Sequence, residues 1–479
     1  MTVVASSKGG ELWRWQAVDL AHGICTGQIS SREAVTSCIA RIEKVNSHLN
    51  AVVDLLADEA LADADRADAT VRKGEPLNSL HGVPVTIKIN VDCAGRPTTN
   101  GVVAFKDRIA HADSPPVANL RKAGAIIIGR TNVPAFCARY FTDNALHGRT
   151  LNPWDAGRTP GGSSGGAAVA VATGIGPLAH GNDRAGSIRY PAYACGVVGI
   201  RPTLGRAPAF DASAPQENSL TTQLTNVQGL LARSIRDLRL GITALTARDA
   251  RDPWWTPAEL SVERPRRAVR VAMLANLPGT EIDPAVSSAV RQAARWLEDA
   301  GYRVEEAVPP RFEEAARLLF TLIRTEQRDG AANVIERYGD EALRHARAST
   351  MAYASELDFD GYINAFASRA SILREWLLFF ERYPLLLMPV SWQRAFPIDF
   401  DQHGDEAVSR MLKAHHPMLA VSILGLPGLS VPTGLVDGVP MGIQLVSGRF
   451  QEEICLTAGE IIEARYPTAT PIDPILNQT

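Results

Sequence analysis

The chain has 479 residues, a formal net charge of −3, and 46% hydrophobic against 21% charged residues. That balance excludes a disordered or fibrous protein, and the near-neutral charge leaves no electrostatic footprint for nucleic acid. No apolar run reaches the roughly 18 residues of a membrane span, and the six scattered cysteines form no CxxC pair or disulfide frame. The opening MTVVASSKGGELWRWQ soon turns polar and reads as no secretory leader. With reduced thiols, the expectation is a cytoplasmic protein.

Residues 11–75 are expected to be helical. Ser30 and Glu33 form an S-x-x-E capping box before AVTSCIARIEKV. Residues 52–73 are rich in Ala, Leu and Asp and close on Gly74, a good helix stop. The pattern changes at Gly82. VPVTIKI (83–89) is short, β-branched and bounded by glycine and proline, as buried strands are. A helix over 115–123 and the strand GAIIIG (124–129) complete a βαβ unit with parallel pairing. A glycine loop, a small-residue helix over 166–173 and a strand near 177–180 follow. RVAMLA (270–275) and YRVEE read as strands around a helix capped by Asp283 with Pro284 in its first turn. Residues 311–380 look largely helical, LLLMPV (385–390) is a strand, and LSVPTG with VPMGIQLV form a hairpin through Asp437-Gly438. No clean linker divides the chain, so one large α/β domain is expected.

The densest chemical signal is TPGGSSGG (159–166), followed by GNDRAGSIRYPA (181–192). Acyl transfer needs a nucleophile, a base and backbone N–H donors aimed at a developing oxyanion. Glycines beside a serine let such donors approach a substrate. Ten histidines are present, but none lies in either serine segment; His180 sits just before the second. Lys88 is the interesting base. It is one of only seven lysines against 42 arginines, and it lies in an apolar strand. Desolvation disfavours an ammonium and lowers its pKa. Taken singly, a lysine at a strand end can snorkel to solvent, and Gly/Ser segments are more often turns than sites. GGSSG (161–165) also fits the G-x-S-x-G elbow of α/β-hydrolases, with Ser163 as nucleophile. That elbow needs a strand directly before it, and NPWDAGRTP is a poor one.

GVPVTIK, PGGSSGG and AGSIRYPA, in that order, are similar to the signature of the amidase signature family of serine hydrolases. The spacing is also that of the family: 75 residues separate Lys88 from Ser163, and a further 24 separate Ser163 from Ser187. GRTN (129–132), NPWD (152–155), GVVGIRPT (196–203) and LGLPGLSVPTG (424–434) extend the resemblance. It implies a large mixed β-sheet core covered by helices on both faces. It also implies one domain over 1–479: a helical segment 11–75, a catalytic core 76–255, a variable substrate funnel 256–415 and a core return 416–479. Ser187 would be the nucleophile, and Ser163, after a non-proline cis peptide, the bridging serine. Lys88, neutral at rest, would be the base. The backbone N–H groups of Arg184, Ala185, Gly186 and Ser187 would form the oxyanion hole. Ser164 is read instead as a hydroxyl capping the next helix.

The chain departs from the family at several points. Asn182 stands for threonine, Arg184 for a small residue and Ala185 for glycine. Alanine there would be strained if the position needs a positive φ. Arg184 either holds a polar part of the substrate or pairs with an acid. Arg139, Tyr140 and Phe141 replace a small turn and are candidate substrate contacts, with a packed loop as the alternative. Aromatic residues of the variable region, Phe320 among them, either shape an apolar cleft or fill core. The expected activity is cofactor-free and metal-free hydrolysis of an aryl or alkyl amide through an acyl-enzyme. Carbamate or ester hydrolysis, a glutamine-dependent amidotransferase subunit and a non-catalytic binding protein are the alternatives. The expected partner is a small amide or carbamate, with no nucleic acid or membrane, and a homodimer as an admissible assembly.

Overall fold

The computed structural model describes residues 11–214, 217–260, 269–327, 331–468 and 470–475. Its centre is one sheet of eleven strands: β1 (Val52–Leu55), β2 (Pro84–Lys88), β3 (Ile126–Thr131), β4 (Leu178–Asp183), β5 (Val198–Arg201), β6 (Val227–Ala232), β7 (Arg270–Met273), β8 (Arg303–Glu306), β9 (Leu385–Pro389), β10 (Gly428–Val436) and β11 (Val439–Ser447). Their spatial order is β1-β3-β2-β4-β6-β5-β10-β11-β9-β7-β8. β2 pairs parallel with both β3 and β4, and β7 with β8 and β9. The centre from β4 to β9 runs antiparallel. The sheet is therefore mixed, as expected.

The central strands are apolar without a break because both faces are covered. Side chains alternate between faces along a strand. Ile127, Leu178 and Leu230 accordingly enter one apolar cluster, while Ile126, Ile128, Ala179 and Leu231 enter another. The first cluster includes residues of helices Ile235–Leu245, Pro284–Asp299 and Glu452–Glu463; the second those of helices Ser31–Leu49 and Gly165–Thr173. A third cluster, built from helices Phe312–Glu326, Phe359–Arg382 and His416–Ile423, takes Leu386 and Met388 from β9.

The expected βαβ unit is β2, helix Pro115–Lys122 and β3. The capping box at Ser30 forms, with Glu33 N–H donating to Ser30 Oγ and Ser30 N–H to Glu33 Oε2. The hairpin forms too, with φ of 53° at Asp437 and 75° at Gly438, the left-handed pair of a tight two-residue turn. One expectation needs correction. Residues 52–73 are not one helix: they open with β1, which pairs antiparallel with β3, and only then form helix Ala57–Arg72. The strands expected at 270–275, at YRVEE and at 385–390 form as β7, β8 and β9 and join the same sheet.

Candidate active site

Lys88 closes β2, and Asn182 and Asp183 close its parallel neighbour β4. Parallel strands present their carboxyl ends on one side of a sheet, where α/β folds bind ligands. The turn after β4 carries Ser187 into helix Arg189–Cys195. The glycine-rich turn carries Ser163, after a cis Gly162-Ser163 peptide, to the start of helix Gly165–Thr173. Gly162 has no side-chain alternative, since the backbone of Arg139 to Phe141 fills the place of a Cβ. No strand precedes Ser163, so the nucleophile-elbow geometry is absent.

Lys88 Nζ lies 2.7 Å from Ser163 Oγ and 2.5 Å from Asn182 Oδ1, and both Lys88 and Ser163 are sealed from bulk water. Burial is the largest influence on Lys88 and lowers its pKa. The Cys137 sulfur beside it and the Asp183 carboxylate oppose that shift. Ser187 and Ser163 line one cavity of about 810 Å³, together with Asn182, Arg184, Ala185, Cys137 and Tyr140. Its apolar wall includes Phe136, Phe320 and Ile323. His180, the histidine nearest in sequence, is buried against Gln228 at 2.9 Å, and burial pushes its pKa down to about 4. It is a neutral packing residue.

The turn before Ser187 is organised by Asp183. This buried carboxylate accepts from Arg189 Nε at 3.0 Å and Nη2 at 3.0 Å, from Arg201 Nη1 at 3.2 Å, and from the N–H groups of Gly186 at 2.8 Å and Ile188 at 3.2 Å. The two guanidinium groups hold its pKa well below the usual carboxylate range despite burial. The Gly186 N–H is therefore already engaged, which removes Gly186 from the expected oxyanion donors. The N–H groups of Arg184, Ala185 and Ser187 meet no protein acceptor among the described residues. The positive φ of this turn falls on Gly186 (106°), not on Ala185, so alanine is tolerated at 185 without strain. A Cβ on Gly186 would also sit 2.5 Å from Met418 Sδ.

The other expected contacts divide. Tyr140 lines the cavity and donates its hydroxyl to the Ala185 carbonyl at 2.8 Å, which braces the turn. Arg139 is buried, and its side chain is committed to Asp401 through two 2.8 Å bonds. Arg139 is also among the residues that line the cavity, with its guanidinium held in that ion pair. Phe141 is buried beneath it and does not line the cavity. Ser164 stands at the N-cap position, but its hydroxyl does not cap the helix: it donates to the Asn182 carbonyl at 3.4 Å. Arg184 faces the cavity with no acid paired to it among the described residues.

Sequence reasoning missed three residues of the site. Asn182 was noted only as a departure, yet it holds Lys88. Cys137 follows Phe136, and both adopt a left-handed backbone (φ 54° and 56°) that no glycine signals. Asp183 carries no motif of its own. Among the described residues, no group of three or more His, Cys, Asp or Glu is placed to hold a metal ion.

The family model for amidases matches residues 33–456. The indoleacetamide hydrolase of Bradyrhizobium diazoefficiens is 45% identical over 458 residues, covering 95% of this chain and 87% of the relative. The solved structure of 6-aminohexanoate cyclic dimer hydrolase with substrate superposes with a TM-score of 0.82 at 26% identity, over 97% of this chain and 99% of that one. A bacterial aryl acylamidase gives 0.81 at 26% identity, over 94% and 96%. No helix among the described residues is long and apolar enough to cross a membrane. The chain belongs to the amidase signature family and is an amide hydrolase acting on small molecules.

Proposed function

We propose that Ser187 is the nucleophile, Ser163 the relay and Lys88 the base for hydrolysis of a small arylacetamide. The observation that carries this reading is the 2.7 Å contact between Lys88 Nζ and Ser163 Oγ, buried beside the cavity that Ser187 lines. Ser187 Oγ attacks the amide carbon while its proton passes to Ser163 Oγ and the Ser163 proton to Lys88 Nζ. The oxyanion is met by the N–H groups of Arg184, Ala185 and Ser187. Removal of one such donor typically costs about 10²–10³ in rate. As the C–N bond breaks, the proton returns from Lys88 through Ser163 to the departing nitrogen. Water, deprotonated along the same path, then cleaves the Ser187 ester and releases the acid.

The arylacetamide class is supported by the 45% identity to the indoleacetamide hydrolase and by the apolar wall of Phe136, Phe320 and Ile323. Ammonia is then the leaving group. The single domain, a reducing cytoplasmic setting and a homodimeric assembly belong to the same proposal. All six cysteines are unpaired, which favours that setting. The test is peptide mapping after treatment with a fluorophosphonate. The expected result is one adduct, on Ser187, abolished by Lys88→Ala. An adduct on Ser163 would overturn the assignment of roles.

A further inference from the structure

Among the described residues Arg184 is a cation without a paired carboxylate, in the wall of the cavity that Ser187 lines. Buried Arg139, Arg189, Arg201 and Arg206 are each paired with a carboxylate, from Asp401, Asp183 (shared by Arg189 and Arg201) and Glu452. Arg184, three residues before Ser187, makes one long bond, from Nη1 to Thr222 Oγ1 at 3.4 Å. Among the described residues its other N–H groups meet no protein acceptor, and they are not sealed from cavity solvent. The cavity wall also carries neutral Thr222, Gln223, Asn226 and Gln228, and the acids that line it, Asp211, Glu217 and Asp252, form no ion pair with Arg184 among the described residues. Glu326, the acid that acts on it through space, is not within pairing range. Glu326 Oε1 is already taken by the Thr221 N–H and the Tyr362 hydroxyl, both at 2.8 Å.

A guanidinium in a cavity wall is less hydrated than one on an open surface, and no carboxylate offsets that here among the described residues. Burial accordingly weakens its hold on its proton. The planar fork of N–H groups matches a carboxylate in a bidentate pair, as it does the bulkier phosphate. A cavity of about 810 Å³ has room for a ring and a second functional group.

We propose that Arg184 selects amides that carry a carboxylate, binding that group as a forked ion pair while the amide lies at Ser187. The proposal rests on the reading of Ser187 as nucleophile. With ammonia as the leaving group the carboxylate sits on the acyl part; a carboxylate on a departing arylamine would replace the ammonia reading, and two matched substrate pairs separate these. The first is phenylacetamide with 4-carboxyphenylacetamide. The second is acetanilide with 4-acetamidobenzoate. For each pair the readout is the ratio of kcat/KM, charged to neutral, within one enzyme preparation, so that a general loss of activity cancels.

Wild type is expected to favour the charged member of one pair. Arg184→Met should lower that ratio about 100-fold, the scale of a charge-assisted hydrogen-bond pair, and Arg184→Lys should restore part of it. Equal ratios in wild type and Arg184→Met for both pairs would overturn the proposal. Fluorophosphonate labelling of the same preparations separates the two levels. A Ser187 adduct with unchanged ratios defeats only the role of Arg184. Absence of any adduct together with absence of turnover defeats the Ser187 reading and this proposal with it.

Discussion

In the proposed mechanism Lys88 is the neutral base, with two N–H bonds and one lone pair, and its surroundings decide where each points. Asn182 Oδ1 can only accept, so at 2.5 Å it takes one N–H. The Cys137 sulfur, whose own S–H is directed to Asn100 Oδ1 at 3.3 Å, is a weak acceptor for the second. The lone pair is left for the Ser163 hydroxyl at 2.7 Å. This makes Asn182 a positioning residue and gives a pH prediction with a definite sign. Burial lowers the Lys88 pKa from its ordinary 10.5, so kcat/KM should rise as pH passes upward through the lowered value and then level off. Between that value and 10.5 the unfolded chain binds one more proton than the folded chain at this residue, so its contribution to stability also rises with pH. Asn182→Asp places an anion against the amine and favours the ammonium. The acid limb of the profile should move up by about 1–3 pH units. Asn182→Thr keeps an acceptor and should leave the limb in place. A purely structural role for Asn182 would lower activity in Asn182→Asp without moving the limb, which pH–rate profiles of the two variants decide.

The turn from Asp183 to Ser187 works as a unit because one buried carboxylate ties it to helix Arg189–Cys195 and to β5. Asp183→Asn keeps the shape but leaves Arg189 and Arg201 buried with less compensation. Breaking one partner of such a network costs about 3–5 kcal/mol, to be read as a lower denaturant midpoint with loss of turnover. Stability unchanged within error would show that the remaining acceptors of Arg189 suffice, among them Gln444 Oε1 at 3.0 Å and Ser422 Oγ at 2.8 Å. The segment GSIR (186–189) was legible in the sequence because it matches the signature that the resemblance rests on. Asp183 was not, because its meaning comes from partners on other elements. The pairing of Arg139 was hidden for the same reason: its carboxylate, on Asp401, lies 262 residues away. Four-residue β1 was hidden by composition. VVDL runs directly into an Ala- and Asp-rich helix and is a strand only because β3 offers it a free edge.

Across the whole molecule, local pattern determined the apolar strands, while the pairing that makes one sheet of them depends on contacts remote in sequence. β10 and β11, from the far end of the chain, sit between β5 and β9 and so join the catalytic half to the variable half. That junction sets helix Phe312–Glu326 against the cavity. The aromatic residues of the variable region look alike in sequence, since helical periodicity marks a buried face without saying what the face meets. Trp376, Phe380 and Trp392 fill the third core cluster, whereas Phe320 and Ile323, also packed there, reach the cavity wall. Phe320 is therefore the residue to test for the aryl preference. Phe320→Leu keeps most of the volume and removes the ring face. An aromatic pair is worth about 0.5–1.5 kcal/mol beyond its buried area. The expected result is a fall of about tenfold in kcat/KM for phenylacetamide relative to propionamide, carried by KM because the ring binds equally before and at the transition state. Phe320→Ala should show the same ratio together with a stability loss of about 3–5 kcal/mol from the cavity it leaves. An equal fall for both substrates in Phe320→Leu would mean that Phe320 supports the fold of the helix alone, and the arylacetamide assignment would lose its structural support.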